Sequence, residues 1–283
     1  MSSLVSPSDI VAKLRAAGCV FAEEEARLLI AEARTADELD AMVDRRAGGL
    51  PLEYVVGWAE FCGLRIGLDE GVFVPRRRTE FLVRQAADTV RRTAASGNPM
   101  TSARAIIVDL CCGSGAIAAA LSVALRPVDV HAVDIDPVAV RCARGNLSRY
   151  GGQAYEGNLY EALPAALQGR VDILVANVPY VPSSAVGLLP VEARVHEPRV
   201  ALDGGADGLD IVRLVAAGAK PWLAESGHLL VETSERQAAE TQEIFASNGL
   251  LPRVVGSAEW NATVVVGRRS SAPTTAAKSG QRR

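Results

Sequence analysis

The sequence predicts a doubly wound α/β domain with a mostly parallel sheet, preceded by a small helical module. Three observations predict it. From about residue 104, short runs rich in Val, Ile and Leu alternate with helical spacing, the pattern of βα units. One of these runs, Val108-Asp109-Leu110, passes directly into a glycine loop and then a helix. Before residue 50 the punctuation is helical only. Hydrophobic residues make up 49% and charged residues 22% of 283, which excludes a mostly disordered chain. No apolar run approaches the roughly 18 residues that a membrane span needs, so no membrane partner is expected. The N-terminus lacks a basic stretch followed by an apolar one, so export is not expected either.

Taken in order, Ser6-Pro7 opens a first helix and Gly18 stops it. Glu23-Glu24-Glu25 opens a second, where acids suit the positive end of the dipole. Thr35 and Glu38 have capping-box spacing for a third, which Gly48-Gly49 ends. Residues 50–78 carry β-formers and repeated glycines and read as a hairpin connector. Helical spacing returns over residues 79–95. Strands are then expected at Ala105–Leu110, Val128–Asp134, Val171–Ala176 and His228–Glu232. Asp136-Pro137 is an N-cap with proline at the first helical position, and Gly151-Gly152 closes that helix. Ser234 and Gln237 form another capping-box pair, with Asn248-Gly249 as the stop. Two late strands, near residues 253–256 and 262–267, end the ordered chain, and residues 268–283 read as a disordered basic tail.

Formal charge is −3, too near zero for a general nucleic-acid coat, and no stable nucleic-acid partner is expected. The charge is uneven. Arg268, Arg269, Lys278, Arg282 and Arg283 face no acid in the tail, so removing those five leaves −8 on residues 1–267. The five cysteines are odd in number and contain no CxxC, which fits reduced thiols in a cytoplasmic protein. His131, His196 and His228 lie far apart without metal-ligand spacing, so no metal is expected.

The first chemical signal is Val108–Ala118. Small loop residues Cys111, Cys112, Gly113, Ser114 and Gly115 let a ligand approach the backbone, and a helix N-terminus attracts a negative group. Asp134 ends the next strand, where an acid can bind both ribose hydroxyls. Gly113-x-Gly115-x-x-Ala118 also satisfies the relaxed dinucleotide fingerprint. Asp109 tilts the choice: its carboxylate would repel a pyrophosphate and favour the cationic ammonium of S-adenosyl-L-methionine. The second signal is Asn177-Val178-Pro179-Tyr180, at the end of a buried strand where ligand crevices lie. An amide nitrogen is a poor nucleophile because its lone pair is delocalised. The Asn177 side-chain carbonyl and the Val178 backbone carbonyl can accept its two hydrogens, Pro179 stiffens the turn, and Tyr180 walls a planar group. Such a site works by positioning, with reacting atoms held about 3–3.5 Å apart.

In these residues and their order the sequence resembles the PrmC/HemK-type release-factor glutamine methyltransferases, within the class I S-adenosylmethionine-dependent methyltransferases. The resemblance runs to about residue 267 through PLEYVVGWAEFCGLRI, VFVPRRRTEFLV, VDLCCGSGAIAAAL, AVDIDPVAV, NLYEAL, NVPYVP and HEPRVALDGGADGLD. It implies a seven-stranded sheet over residues 79–267, a helical docking domain over 1–49, and N5-methylation of the glutamine of a Gly-Gly-Gln motif in a peptide-chain release factor. It implies that Cys111–Gly115 wrap the cofactor's methionine part, Asp134 holds the ribose, Asn158 and Leu159 lie near adenine, and Asn177–Tyr180 grip the glutamine, in a monomer. Three departures stand out. Val178 replaces the first proline of the usual Asn-Pro-Pro-Tyr. Pro75-Arg76-Arg77-Arg78-Thr79-Glu80 replaces Pro-Arg-Pro-acid-Thr-Glu, which adds positive charge beside an acceptor entrance where Arg76 is expected. Asn158 replaces the usual acid near adenine. These point to a subgroup with its own acceptor. The alternative activities are methylation of adenine N6 in DNA or RNA, which presents a similar planar amine, and a non-catalytic cofactor-binding homologue.

Overall fold

A computed structural model describes residues 6–95 and 104–270. Three helices, α1 (Pro7–Ala16), α2 (Ala22–Glu32) and α3 (Ala36–Ala47), come first. Their apolar stripes meet around Ile10, Leu14, Ala26, Leu29, Met42 and Val43. The Ser6 hydroxyl accepts from Asp9 N at 3.3 Å while the Asp9 carboxylate accepts from Ser6 N at 3.2 Å, a complete capping box. Thr35 likewise accepts from Glu38 N at 3.1 Å, but Glu38 reaches one residue further back, to Arg34 N at 2.9 Å.

A short helix α4 (Leu52–Val56) leads into a hairpin of β1 (Trp58–Phe61) and β2 (Leu64–Gly67). Its two-residue turn has positive φ at Cys62 (52°) and Gly63 (71°), the backbone that matches strand twist in a tight hairpin. The hairpin is fastened to the larger domain. Cys62 N donates to Glu80 of α5 (Glu80–Ala95) at 3.1 Å. The Asn146 amide exchanges two 2.8 Å bonds with the backbone of Gly67 and donates a third, also 2.8 Å, to Ser114 O.

The main sheet has seven strands: β3 (Ala105–Leu110), β4 (Val128–Asp134), β5 (Gln153–Glu156), β6 (Val171–Ala176), β7 (Leu223–Thr233), β8 (Leu250–Ser257) and β9 (Ala262–Arg269). Their order is β5-β4-β3-β6-β7-β9-β8, parallel through β7, with β9 antiparallel to both β7 and β8. Strand order reverses between β3 and β6, which opens a crevice at their carboxyl ends. Helices cover both faces: α5, α6 (Ala116–Ala124) and α7 (Pro137–Leu147) on one, α9 (Asp210–Ala219) and α10 (Ala238–Ser247) on the other. β3 is buried at every residue, as a central parallel strand must be.

Several elements differ from expectation, among them β7, which begins at Leu223, five residues before the expected His228. β5 is a four-residue edge strand between glycines, too short for a periodic signal. The α9 segment starts without a side-chain cap, so its N-terminus left no mark in the sequence. The strand expected to end at residue 267 runs to Arg269, because Arg268 and Arg269 continue pairing with Leu251 and Leu250. The remainder of the expected tail, residues 271–283, lies outside the described residues.

Candidate active site

A cavity of about 500 Å³ lies at the carboxyl ends of β3, β4 and β6. That is within the usual range of about 300–1,000 Å³ for small-molecule sites. Cys111, Cys112, Gly113, Ser114, Asp134, Asn158, Leu159 and the whole of Asn177–Tyr180 line it, and so does Arg76. The sequence motifs, 66 residues apart between Cys111 and Asn177, therefore share one wall.

At the cofactor end, Gly113 has φ +54° and a Cβ built on it meets nothing within 4 Å, so the backbone there is open to the cavity. Gly115 is the left-handed N-cap of α6, with φ +75°. The helix therefore begins at the cavity wall with its amide ends toward the loop. Cys111 (φ 56°) and Leu159 (φ 46°) are also left-handed without being glycine. Such backbone costs roughly 1–2 kcal/mol per residue, and strain of this kind collects where a loop is shaped for a ligand.

Asp134 is fixed by two backbone donors, Gly113 N at 2.8 Å and Asp136 N at 2.9 Å, one on each oxygen. Each carboxylate oxygen keeps a second lone pair for a ligand hydroxyl. Burial raises the Asp134 carboxyl above its ordinary value, and the two amide donors pull it back down. Burial also pushes the Cys111 and Cys112 thiols upward, with the Asp109 and Asp134 charges adding to it, so neither is an activated thiolate.

Asp109 is placed differently from the sequence expectation. It is wholly buried beneath the loop and absent from the cavity wall. One oxygen accepts from Ala118 N at 3.1 Å, and Oδ1 has no hydrogen-bond partner among the described residues. Burial pushes this carboxyl up to about 8. β3 is buried at every residue, and the bond from Ala118 N sets the Asp109 carboxylate against the first turn of α6.

At the other end, Asn177 Nδ2 donates to Thr79 Oγ1 at 3.4 Å, leaving Oδ1 as its acceptor. Val178 is 2% exposed and Pro179 is buried. The loop is held by Gln237, whose Nε2 donates to Tyr180 O and to Asp207 O, both at 3.0 Å. Sequence reasoning read Gln237 as the reciprocal half of a cap on Ser234. Ser234 does cap the turn, accepting from Gln237 N at 3.3 Å and donating from its hydroxyl to Gln237 Oε1 at 2.6 Å, while Gln237 Nε2 is spent on the Tyr180 loop. Nothing local in the sequence marks that role.

The three arginines do not form an open basic cluster. Arg76 Nη2 lies 2.5 and 2.6 Å from the two oxygens of Glu197, which is almost wholly buried. Arg78 donates to Glu232 Oε1 at 3.1 Å and also to the Tyr180 hydroxyl. Burial raises the carboxyls of Glu197 and Glu232, and their arginines oppose the rise. Burial and Glu232 push the Tyr180 phenol up to about 12. Arg77 alone turns away from the cavity, over the Trp260 ring at 5.8 Å. Of the two added charges, Arg78 is therefore neutralised by an acid 154 positions away, as the usual Arg76 is by one 121 positions away.

Comparison with known proteins follows the same line. The methyltransferase small domain family matches residues 98–226. A release factor glutamine methyltransferase of Geobacter sulfurreducens is 37% identical over 210 residues, spanning 74% of this chain and 69% of that protein. A ribosomal protein uL3 glutamine methyltransferase of Bordetella pertussis is 40% identical over 214 residues, spanning 74% and 67%. A release factor glutamine methyltransferase of Agrobacterium fabrum is 35% identical over 255 residues, spanning 84% and 86%.

Proposed function

This chain belongs to the PrmC/HemK-type glutamine methyltransferase family, an S-adenosylmethionine-dependent group, and from that premise we propose a peptide-chain release factor as its methyl acceptor. The observation that carries the reading is the shared wall: Asn177–Tyr180 and the Gly113 loop with Asp134 face one cavity. When bound, S-adenosylmethionine supplies a methyl made electrophilic by its sulfonium. Cys111–Gly115 would hold its methionine part, Asp134 its ribose, and Asn158 with Leu159 its adenine end. Ile135, 56% exposed yet on the cavity wall, adds an apolar face there that sequence reasoning missed.

Asn177 Oδ1 and the Val178 carbonyl would accept the two hydrogens of the glutamine amide and turn its nitrogen toward the methyl. The Tyr180 ring, anchored through its hydroxyl by Arg78 and Glu232, would form a wall against that planar amide. As the N–C bond forms, the methyl–sulfur bond of the bound cofactor would break, its electron pair staying on sulfur as a neutral thioether, and one amide proton would leave to water. No residue here is asked to act as a strong base; positioning supplies the rate. Residues 1–49 would dock the acceptor protein, residues 50–78 join them to the catalytic domain of 79–267, and the enzyme would act as a cytoplasmic monomer.

A uL3-type acceptor is the second reading, favoured by the likeness to the Bordetella pertussis protein. One experiment separates the readings: incubation with S-adenosylmethionine and purified release factor, uL3 protein or duplex DNA, followed by mass spectrometry. A methyl on the Gly-Gly-Gln glutamine, abolished in Asn177→Ala with the fold intact, is the expected result. A methyl on uL3 alone transfers the assignment to uL3, and a methyl on adenine overturns it.

A further inference from the structure

A roof of residues 189–202 lines the cavity, among them Leu189, Pro190, Glu192 and Ala193, and it joins the acceptor end where Leu202 O accepts from Val181 N at 3.2 Å. Its later part is held by the buried Glu197 against Arg76 and by the buried Leu202, but apolar anchoring of its first part is thin. Its helix α8 (Val191–His196) has a single buried residue, Ala193, while Val191 and Val195 are each 61% exposed and Leu188 just before it is 86% exposed. A polar tether holds this first part, from the helical module to Glu192, whose side chain is 49% exposed. Arg46 of α3 is 6% exposed. It donates from Nε and Nη2 to the buried Glu25 of α2, at 2.6 and 3.1 Å. From Nη1 it donates to Glu192 Oε1 at 2.7 Å and to Leu50 O at 3.1 Å. The planar guanidinium thus spends one edge inside the module and one corner on the roof, 146 residues away in sequence.

We propose that Arg46 is a positioning residue for the acceptor: through Glu192 it sets the cavity roof against the glutamine-bearing segment and ties the shape of that roof to the helical module. The inference rests on the glutamine-acceptor reading above. Charged hydrogen bonds are among the stronger ones available, and the half-exposed Glu192 brings this one toward the lower end of that range. An anchor of this kind matters most where apolar packing is thin, as it is under α8. The Glu25 contact alone would hold the module together, so the Glu192 contact is the part that a purely structural role does not need.

The test uses the full-length enzyme with saturating S-adenosylmethionine and an acceptor protein. Three variants are compared: Glu192→Gln, the pair Glu25→Gln with Arg46→Gln, and all three together. Removing Glu25 and Arg46 together avoids leaving a lone buried ion, which is the strongly destabilising case. Glu192→Gln is expected to raise the acceptor KM about 10-fold, equivalent to about 1.4 kcal/mol, with kcat changed less than about twofold and cofactor Kd unmoved. The pair variant should do the same, and the triple variant should be no worse than either, because coupled groups are non-additive. If the pair variant fails to fold, Arg46→Lys keeps a cation beside Glu25 but lacks the fork to reach both acids, and should raise KM alike. Additive effects would mean that Glu192 meets the acceptor directly, and they overturn the proposal. So does an unchanged KM, or a KM rise matched by loss of cofactor affinity. A wild-type enzyme that methylates no glutamine overturns the underlying reading instead, and that result is seen before any variant is made.

Discussion

Arg78→Gln tests whether the cation beside the cavity is structural or solvated. The Arg78 side chain is 45% exposed, but its partner Glu232 is only 2% exposed, at 3.1 Å. A hydrogen bond between charged groups contributes about 1.5–3 kcal/mol. The exposed half of Arg78 screens the pair, so the lower end applies, about 1.5 kcal/mol. For a chain of this length each kcal/mol moves Tm by roughly 2–4 °C, so a fall of about 3–6 °C is expected near neutral pH. Arg77→Gln, a surface change away from such a pair, should stay within about 0.5 kcal/mol. The pH dependence has a definite sign. Burial already places the Glu232 carboxyl above its ordinary value, and Arg78 opposes that shift. A carboxyl raised in the folded state weakens the fold as pH rises through that value, because the ionised form is the penalised one. Without Arg78 the penalty grows, so the deficit of the variant should be largest near pH 8 and shrink toward pH 5. Urea unfolding of both proteins across that range measures it. An unchanged stability with weakened acceptor binding would refute the internal pairing and restore an arginine that meets the partner from solvent.

Two further changes bear on the cofactor end. Gly115→Ala places a Cβ 3.1 Å from the Ala143 Cβ at a φ of +75°, so a left-handed alanine costing about 1–2 kcal/mol is added to crowding of about 1–3 kcal/mol. Calorimetry should show S-adenosylmethionine binding weakened at least tenfold together with a lower Tm, and unaltered binding would show that the helix start does not shape the site. Asp109→Asn removes a carboxyl held at about 8 by burial. Because that value is above the ordinary one, wild-type stability should decline as pH rises from about 4 to about 8, and the asparagine variant should decline less. Parallel unfolding profiles for the two proteins would count against a protonated Asp109 in the folded state.

Legibility followed the range of each interaction. Ser6, Thr35, Asp136 and Ser234 each accept from an amide two or three residues on, and all four were readable as caps because the whole interaction sits within one turn. The strand-loop-helix at residues 105–124 was readable for the same reason. β5 and α9 carry weak local signals and were not. The arginine stretch shows the limit most clearly. Its charge is plain in the sequence, but whether a charge is free depends on its partner, and Glu197 and Glu232 arrive from the far end of the chain.

The α/β methyltransferase-like pattern, with its glycine loop, strand-end Asp134 and Asn177–Tyr180 turn, is written in contiguous residues, because each feature occupies a strand end whose location the βα alternation dictates. What surrounds these features is set by long-range packing. Strand order places β3 beside β6 and so merges two motifs into one cavity. Packing sends Asp109 beneath the loop, turns Arg76 and Arg78 inward to buried acids, assigns Gln237 to the Tyr180 loop, and joins Arg46 to Glu192. The physical reason is common to all of these. A side chain's charge and hydrogen-bonding capacity are properties of the residue, but its partner is chosen by the three-dimensional neighbourhood that desolvates it.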